Sequence, residues 1–373
     1  MRRFWFGTNV LKTLLVSLTL LLFICTNAFA SELPEIQTSI ISYGTPVQKT
    51  NPNTPVSSDE LVTKQRGGEG EPAFLVAMLP KEQELESEST YEVGSTGLAG
   101  GEPSYRGTAP DGVADASRSE FTEATESVEE FINLLSLEAV SAPVGVETII
   151  GPDERVKVDP TTTFPARAVA LITFDGGRCT GWLYGKDIVA TAGHCVHTGG
   201  SSGTWRTNVR VYPGRNGSSS PYGSCSAKRL HSVDGWTKDG NQEYDYGAIK
   251  LNCSIGNTTG WFGYWWQSAS LANLPSIING YPGDKPLEQW KSTDTIRVSQ
   301  TNKVFYQNDT VPGMSGGPVY YDRPSGSSFC SGYCGMAIHA YGLFNGAPYN
   351  TNNSATRITE ARFNNLKAWK DAA

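Results

Sequence analysis

Residues 148–373 predict an all-β fold, a sandwich or a pair of barrels, finished by a single C-terminal helix. Three observations carry this expectation. Short apolar runs alternate with clusters of Gly, Pro, Asn and Ser throughout this part of the chain. Six of the seven cysteines lie beyond residue 175, as in a disulfide-bearing domain. The charge also divides near residue 147: residues 31–147 hold 21 acidic and six basic side chains, a net of −15, whereas residues 148–373 carry a net of +5.

In chain order, residues 1–30 read as a secretory signal. Arg2, Arg3 and Lys12 precede the apolar run from Leu14 to Ile24, and Ala28-Phe29-Ala30 offers a cleavage site before Ser31. A retained membrane anchor is the rival, since the charge-free stretch from Thr13 to Ser31 is borderline for a span. The Ala-Phe-Ala ending favours cleavage, which implies a secreted, extracellular protein with no stable membrane association. Residues 31–147 lack cysteine and carry acidic runs such as Lys81 to Glu86, a composition that buries little apolar surface by itself. One stretch, Ser119 to Leu137, places Phe121, Val128, Phe131, Leu134 and Leu135 at helical spacing. This segment reads as an acidic propeptide, serving as intramolecular inhibitor or chaperone for residues 148–373.

Beyond Glu147, strands are expected at 168–174, 188–192, 209–212, 246–251, 276–281, 319–321 and 337–340. From Thr359, a plausible cap, Phe363, Leu366 and Trp369 recur every three residues and predict an amphipathic helix. The aromatic run Trp261 to Trp266 suits packing between barrels or the border of a cleft. No H-E-x-x-H pair or paired C-x-x-C spacing supports a metal site, and no cofactor is implied; nothing indicates calcium. The modest positive charge after residue 147 is not clustered, so nucleic-acid binding has no support, and a monomer is expected.

Three local motifs carry chemistry. Ile188 to Cys195 is a buried strand running into Thr191-Ala192-Gly193-His194-Cys195. Tyr244-Asp245-Tyr246-Gly247 opens a strand with an acid. Gly313-Met314-Ser315-Gly316-Gly317-Pro318 sets a Ser in a Gly-dense turn. Each motif alone has an ordinary structural explanation. Together, in the order His, Asp, Ser, they supply what acyl transfer needs. A Ser hydroxyl is a weak nucleophile until an imidazole takes its proton. The imidazole needs an acceptor on its other nitrogen. The glycines let the amides of Gly313 and Ser315 converge on one oxyanion.

These residues resemble the trypsin/chymotrypsin superfamily. The longer stretches Cys179-Thr180-Gly181-Trp182, Tyr244 to Leu251, Gly280-Tyr281-Pro282-Gly283-Asp284-Lys285 and Ala337-Ile338-His339 are similar to the glutamyl endopeptidases of Bacillus and their staphylococcal relative. Gly317 departs from the Ser that many of that subgroup carry. The resemblance covers roughly residues 148–373 and implies a chymotrypsin-like double β-barrel with His194, Asp245 and Ser315 in the cleft. It implies a Cys179–Cys195 bridge; Cys330–Cys334 would close a short loop and leave Cys225–Cys253 by elimination, but six cysteines allow fifteen pairings and the sequence leaves these two open. It further implies a serine endopeptidase acting on protein or peptide substrates, with His339 and Thr310 holding a Glu, less often an Asp, before the scissile bond. A charge-donating His beside a hydroxyl suits that task. The alternative is Asp309, six residues before Ser315, facing the pocket and selecting Lys or Arg. A catalytically silent binding homologue is the non-enzyme alternative. The family's mature N-terminus corresponds to Thr148, so a cut after Glu147 would free a Thr148 amine near the pocket.

Overall fold

The structure is a computed structural model and describes residues 51–58, 98–111, 127–142 and 145–372. The expected signal at residues 1–30 and much of the acidic segment lie outside the described residues. Within that segment β1 (Pro55–Ser57), β2 (Ala99–Glu102) and a helix (Val128–Ser136) are present, and β3 (Val156–Lys157) comes after it. The helix covers Val128–Ser136 of the expected Ser119–Leu137 stretch, whose residues 119–126 lie outside the described residues. Ser127 caps it, its Oγ accepting from the Glu130 amide at 3.1 Å.

The first sheet contains β4 (Val169–Phe174), β5 (Gly177–Gly185), β6 (Ile188–Thr191), β7 (Arg210–Pro213), β8 (Cys225–Val233) and β9 (Gly247–Leu251). They run in the order β8-β7-β4-β5-β6-β9, and β9 pairs again with β8, so six strands close into a barrel. Every residue of β4 and β5 is buried, which explains why β4 reads as a continuous apolar run rather than an alternation. The second sheet is built from β10 (Gly263–Gln267), β11 (Pro275–Gly280), β12 (Trp290–Thr295), β13 (Val298–Ser299), β14 (Lys303–Tyr306), β15 (Pro318–Arg323), β16 (Gly332–Tyr341) and β17 (Asn353–Arg357). Its path is β13-β14-β17-β16-β15-β11-β12-β3, with β10 lying parallel beside β16. This second sheet stays open, a half-barrel beside the closed one.

Both sheets accept strands from the acidic segment. β1 pairs antiparallel with β8, and β2 pairs antiparallel with β10. These two short strands thus find their backbone partners on the edges of the two sheets. The helix Glu360–Asp371 closes the chain as expected. Thr359 accepts from the Arg362 amide, and Phe363, Leu366 and Trp369 are buried, with Trp369 stacked on His231 at 5.5 Å. Three disulfides join Cys179 to Cys195, Cys225 to Cys253 and Cys330 to Cys334. The Trp261–Trp266 run packs inward: Phe262 meets Trp182 of the closed barrel and Tyr320 of the open sheet. Among the described residues no helix is long and apolar enough to cross a membrane.

Candidate active site

Three chain segments bring His194, Asp245 and Ser315 together where the two sheets meet. β6 ends in Thr191, and the tight turn Gly193–Cys195 just beyond it carries His194. Cys195 in that turn is tied to Cys179 on β5, which fixes the backbone of the imidazole. Asp245 precedes β9, and its carboxylate grips His194 twice: Oδ2 lies 2.8 Å from the ring Nδ1, and Oδ1 accepts the His194 amide at 2.8 Å. This two-point contact fixes both the ring orientation and the tautomer with hydrogen on Nδ1, leaving Nε2 as a base. Burial alone would raise the Asp245 carboxyl; the facing imidazole and its hydrogen bonds outweigh that and hold it below the usual carboxylate range.

Ser315 sits in the turn before β15. Gly316 has φ +88°, and a side chain there would collide with the Thr180 carbonyl and the Thr191 hydroxyl. Gly313 has φ +97°, with the Tyr281 carbonyl where a Cβ would stand. Glycine is therefore required at 316 for the turn to press against the closed barrel and at 313 for it to pass the Tyr281 carbonyl just after β11 of its own sheet. Cross-sheet hydrogen bonds hold the turn there, the Thr180 amide donating to the Ser315 carbonyl at 2.9 Å and Thr180 Oγ1 to the Gly313 carbonyl at 2.7 Å, while Thr356 Oγ1 ties the Asp245 carbonyl to the open sheet at 3.0 Å.

The cleft is filled by the acidic segment's own C-terminal end. Ser315 Oγ donates to a carboxylate oxygen of Glu147, and His194 Nε2 has no hydrogen-bond partner among the described residues. Glu147 is 3% exposed, and burial pushes its carboxyl up to about 7, against the opposing pull of the Ser315 hydrogen bond and His194. Further back, the Gly145 carbonyl accepts from the Gly342 amide. The Val140 carbonyl accepts from the Gly313 amide at 3.2 Å, one of the two amides expected to face an oxyanion. Glu138 and Val140 bracket Arg178 in a parallel ladder at 2.8 and 3.1 Å.

His339 and Thr310 line the same region. His339 lies on β16, fully buried, and its Nδ1 is 2.6 Å from the Tyr306 hydroxyl. Its Nε2 and the Thr310 Oγ1 have no partner among the described residues. Burial lowers His339 to about 3, so in this occupied state it is neutral and offers a hydrogen bond rather than the charge expected from sequence. Tyr306 escapes sequence reasoning; its only signal is a phenol in the wholly buried run Lys303–Tyr306. Thr148 is clasped by Asn353, which accepts from its amide at 3.2 Å and donates to its carbonyl at 2.6 Å. Asp309 faces elsewhere: its oxygens accept the amides of Ile150 at 2.8 Å and Glu154 at 2.7 Å. Of the remaining histidines, His197 packs on Trp205 and His231 on Trp369. The one close group of three metal-type donors among the described residues, Cys179, His194 and Cys195, has both sulfurs joined in a disulfide and offers no free thiolate.

Comparison with known proteins agrees with this geometry. Residues 156–362 match the Trypsin family. The chain is 45% identical over 233 residues to a glutamyl endopeptidase of Bacillus licheniformis, covering 62% of this chain and 72% of that one. It is 41% identical over 230 residues to a Bacillus subtilis protein named extracellular metalloprotease, covering 60% of this chain and 69% of that one. A solved Glu endopeptidase in complex with MPD superposes with a TM-score of 0.53 at 29% identity, over 60% of this chain and all of the other. The chain belongs to the trypsin family and is a serine endopeptidase.

Proposed function

We propose that the protein is a secreted zymogen whose mature form, residues 148–373, hydrolyses peptide bonds after Glu through His194, Asp245 and Ser315. Ser315 attacks the carbonyl, His194 Nε2 takes its proton and returns it to the leaving amine, and Asp245 holds the imidazole. The amides of Gly313 and Ser315 stabilise the oxyanion, a contribution of about 3–4 kcal/mol per donor. The observation that carries the specificity is Glu147: a carboxylate of this chain is buried against Ser315 with its second oxygen unpartnered among the described residues, while His339 Nε2 and Thr310 Oγ1 stand equally open to receive a carboxylate. Asp309 is committed to backbone amides, which argues against selection of Lys or Arg.

The same contacts support inhibition by residues 31–147. The side chain of Glu147, not its peptide carbonyl, meets Ser315, so the arrangement is occupancy rather than a bond poised for cleavage. The cut after Glu147 is therefore made by a second molecule or another protease, and the freed Thr148 amine stays clasped by Asn353. Matched peptides with Glu, Asp, Arg or Phe before the scissile bond test the specificity, with rapid cleavage after Glu expected. Cleavage confined to Arg would overturn it. A fluorophosphonate should label Ser315 in the mature enzyme, and labelling that survives Ser315→Ala would remove the assignment of the nucleophile.

A further inference from the structure

We propose that Arg178 is a specificity residue on the leaving-group side of the cleft, selecting substrates with a carboxylate side chain within two residues after the scissile bond. The proposal rests on the proposed function, in which Ser315 is the nucleophile and His339 and Thr310 receive the residue before the bond. Those groups mark the acyl side. The bound segment spans the cleft from Glu147 at that end to Glu138–Val140 at the other, and there its partners are Arg178 and the Gly313 amide. Arg178 adjoins Cys179, whose bridge to Cys195 carries the imidazole that hands a proton to the leaving amine.

The Arg178 backbone already holds an extended chain, donating to the Glu138 carbonyl and accepting from the Val140 amide. Its side chain is only 4% exposed and is an unusual occupant of that place. One guanidinium nitrogen, Nη2, donates to the Gly283 carbonyl at 3.1 Å, while Nε and Nη1 have no partner among the described residues. No carboxylate among the described residues compensates the charge. Asp284, next along the chain, is taken by Arg155 at 2.6 and 2.9 Å and also faces Lys285. Burial without a counterion pulls the guanidinium's affinity for its proton down. The residue lying over this spot is Ala139, whose methyl contacts the place where Gly283 would carry a Cβ. A longer acidic side chain in the same place would bring a carboxylate oxygen to one of the two open donors, a charge-assisted hydrogen bond to a guanidinium that lacks a counterion. A substrate's departing strand runs opposite to the acidic segment, so once that segment has left it would pair with the Arg178 backbone antiparallel, and its acidic side chain would take the charge.

The test uses processed enzyme from the full-length secreted precursor and quenched peptides with Glu before the scissile bond. The first and second positions after the bond are varied in turn among Asp, Glu, Ala and Lys. At one of them kcat/KM should rank acidic above Ala above Lys, with about tenfold between the extremes, shrinking in 1 M NaCl. Arg178→Gln should flatten the ranking, and Arg178→Lys should keep part of it. Ratios within each variant are compared, so loss of active molecules does not obscure the result. A flat series for the native enzyme at both positions, or an unchanged series in Arg178→Gln, would overturn the proposal. Cleavage after a residue other than Glu would overturn the Glu reading instead, and the same ranking would then be read on peptides bearing that residue.

Discussion

The buried Glu147 makes occupancy of the cleft depend on pH in a calculable direction. Its carboxyl titrates at about 7 when docked, against 4.5 for an ordinary Glu. Burial raises it most; the Ser315 hydroxyl and His194 lower it, and Asp245 raises it. Tyr306 and Tyr341 also face its charge. A docked group with the higher pKa binds its proton more tightly than the free group. Docking is therefore strongest below pH 4.5 and weakens as the pH rises through 7. The difference, at about 1.4 kcal/mol per pH unit, is about 3 kcal/mol, or on the order of a hundredfold in the docking equilibrium. Uncleaved precursor would be labelled at Ser315 with a fluorophosphonate between pH 4.5 and 8, each rate divided by that of processed enzyme at the same pH. That division removes the nucleophile's own pH dependence. The ratio should climb with pH in the native precursor and stay level in Glu147→Gln. A native ratio that is flat or falls with rising pH, or a Gln variant that climbs equally, would refute the reasoning.

Asp245→Asn should lower kcat by about 10⁴-fold with little change in KM, because an amide in that place favours the wrong imidazole tautomer; steady-state kinetics on a Glu peptide checks this. Tyr306→Phe removes the hydroxyl on His339 Nδ1 and should cut kcat/KM for Glu peptides about tenfold, the loss of a buried hydrogen bond, with the Glu-to-Gln ratio as the readout. Leu366→Ala, at a fully buried position of the C-terminal helix, should cost about 3 kcal/mol and lower Tm by several degrees in a thermal melt.

Sequence periodicity locates the strands whose burial is apolar, such as Val169–Phe174 and Gly247–Leu251. It passes over Cys225–Val233, where Lys228, Arg229 and His231 interrupt any alternation, although pairing with three neighbouring strands secures it. Gly177–Gly185 is hidden because small and polar residues fill a strand that is buried throughout. Pro55–Ser57 and Ala99–Glu102 carry no strand pattern at all; they exist through the edges they join. The Ser, His and Asp are legible because glycine-dense turns and chain order are local signals. Tyr306, Asn353 and the open donors of Arg178 are not, since each draws its role from residues brought close only by folding.

β1 and β2 give the acidic segment a hold on both sheets, and Glu102 adds ion pairs to Lys367 and Lys370 of the C-terminal helix. Breaking the chain at Glu147 removes none of these contacts. Under the proposed processing, the immediate product of such a cut would be a nicked two-chain complex, and the onset of activity would be timed by how fast the severed piece falls away or is digested. Time courses should then show a lag that outlasts the appearance of the cleaved bands on a gel, and that shortens when the Glu102 anchor is removed.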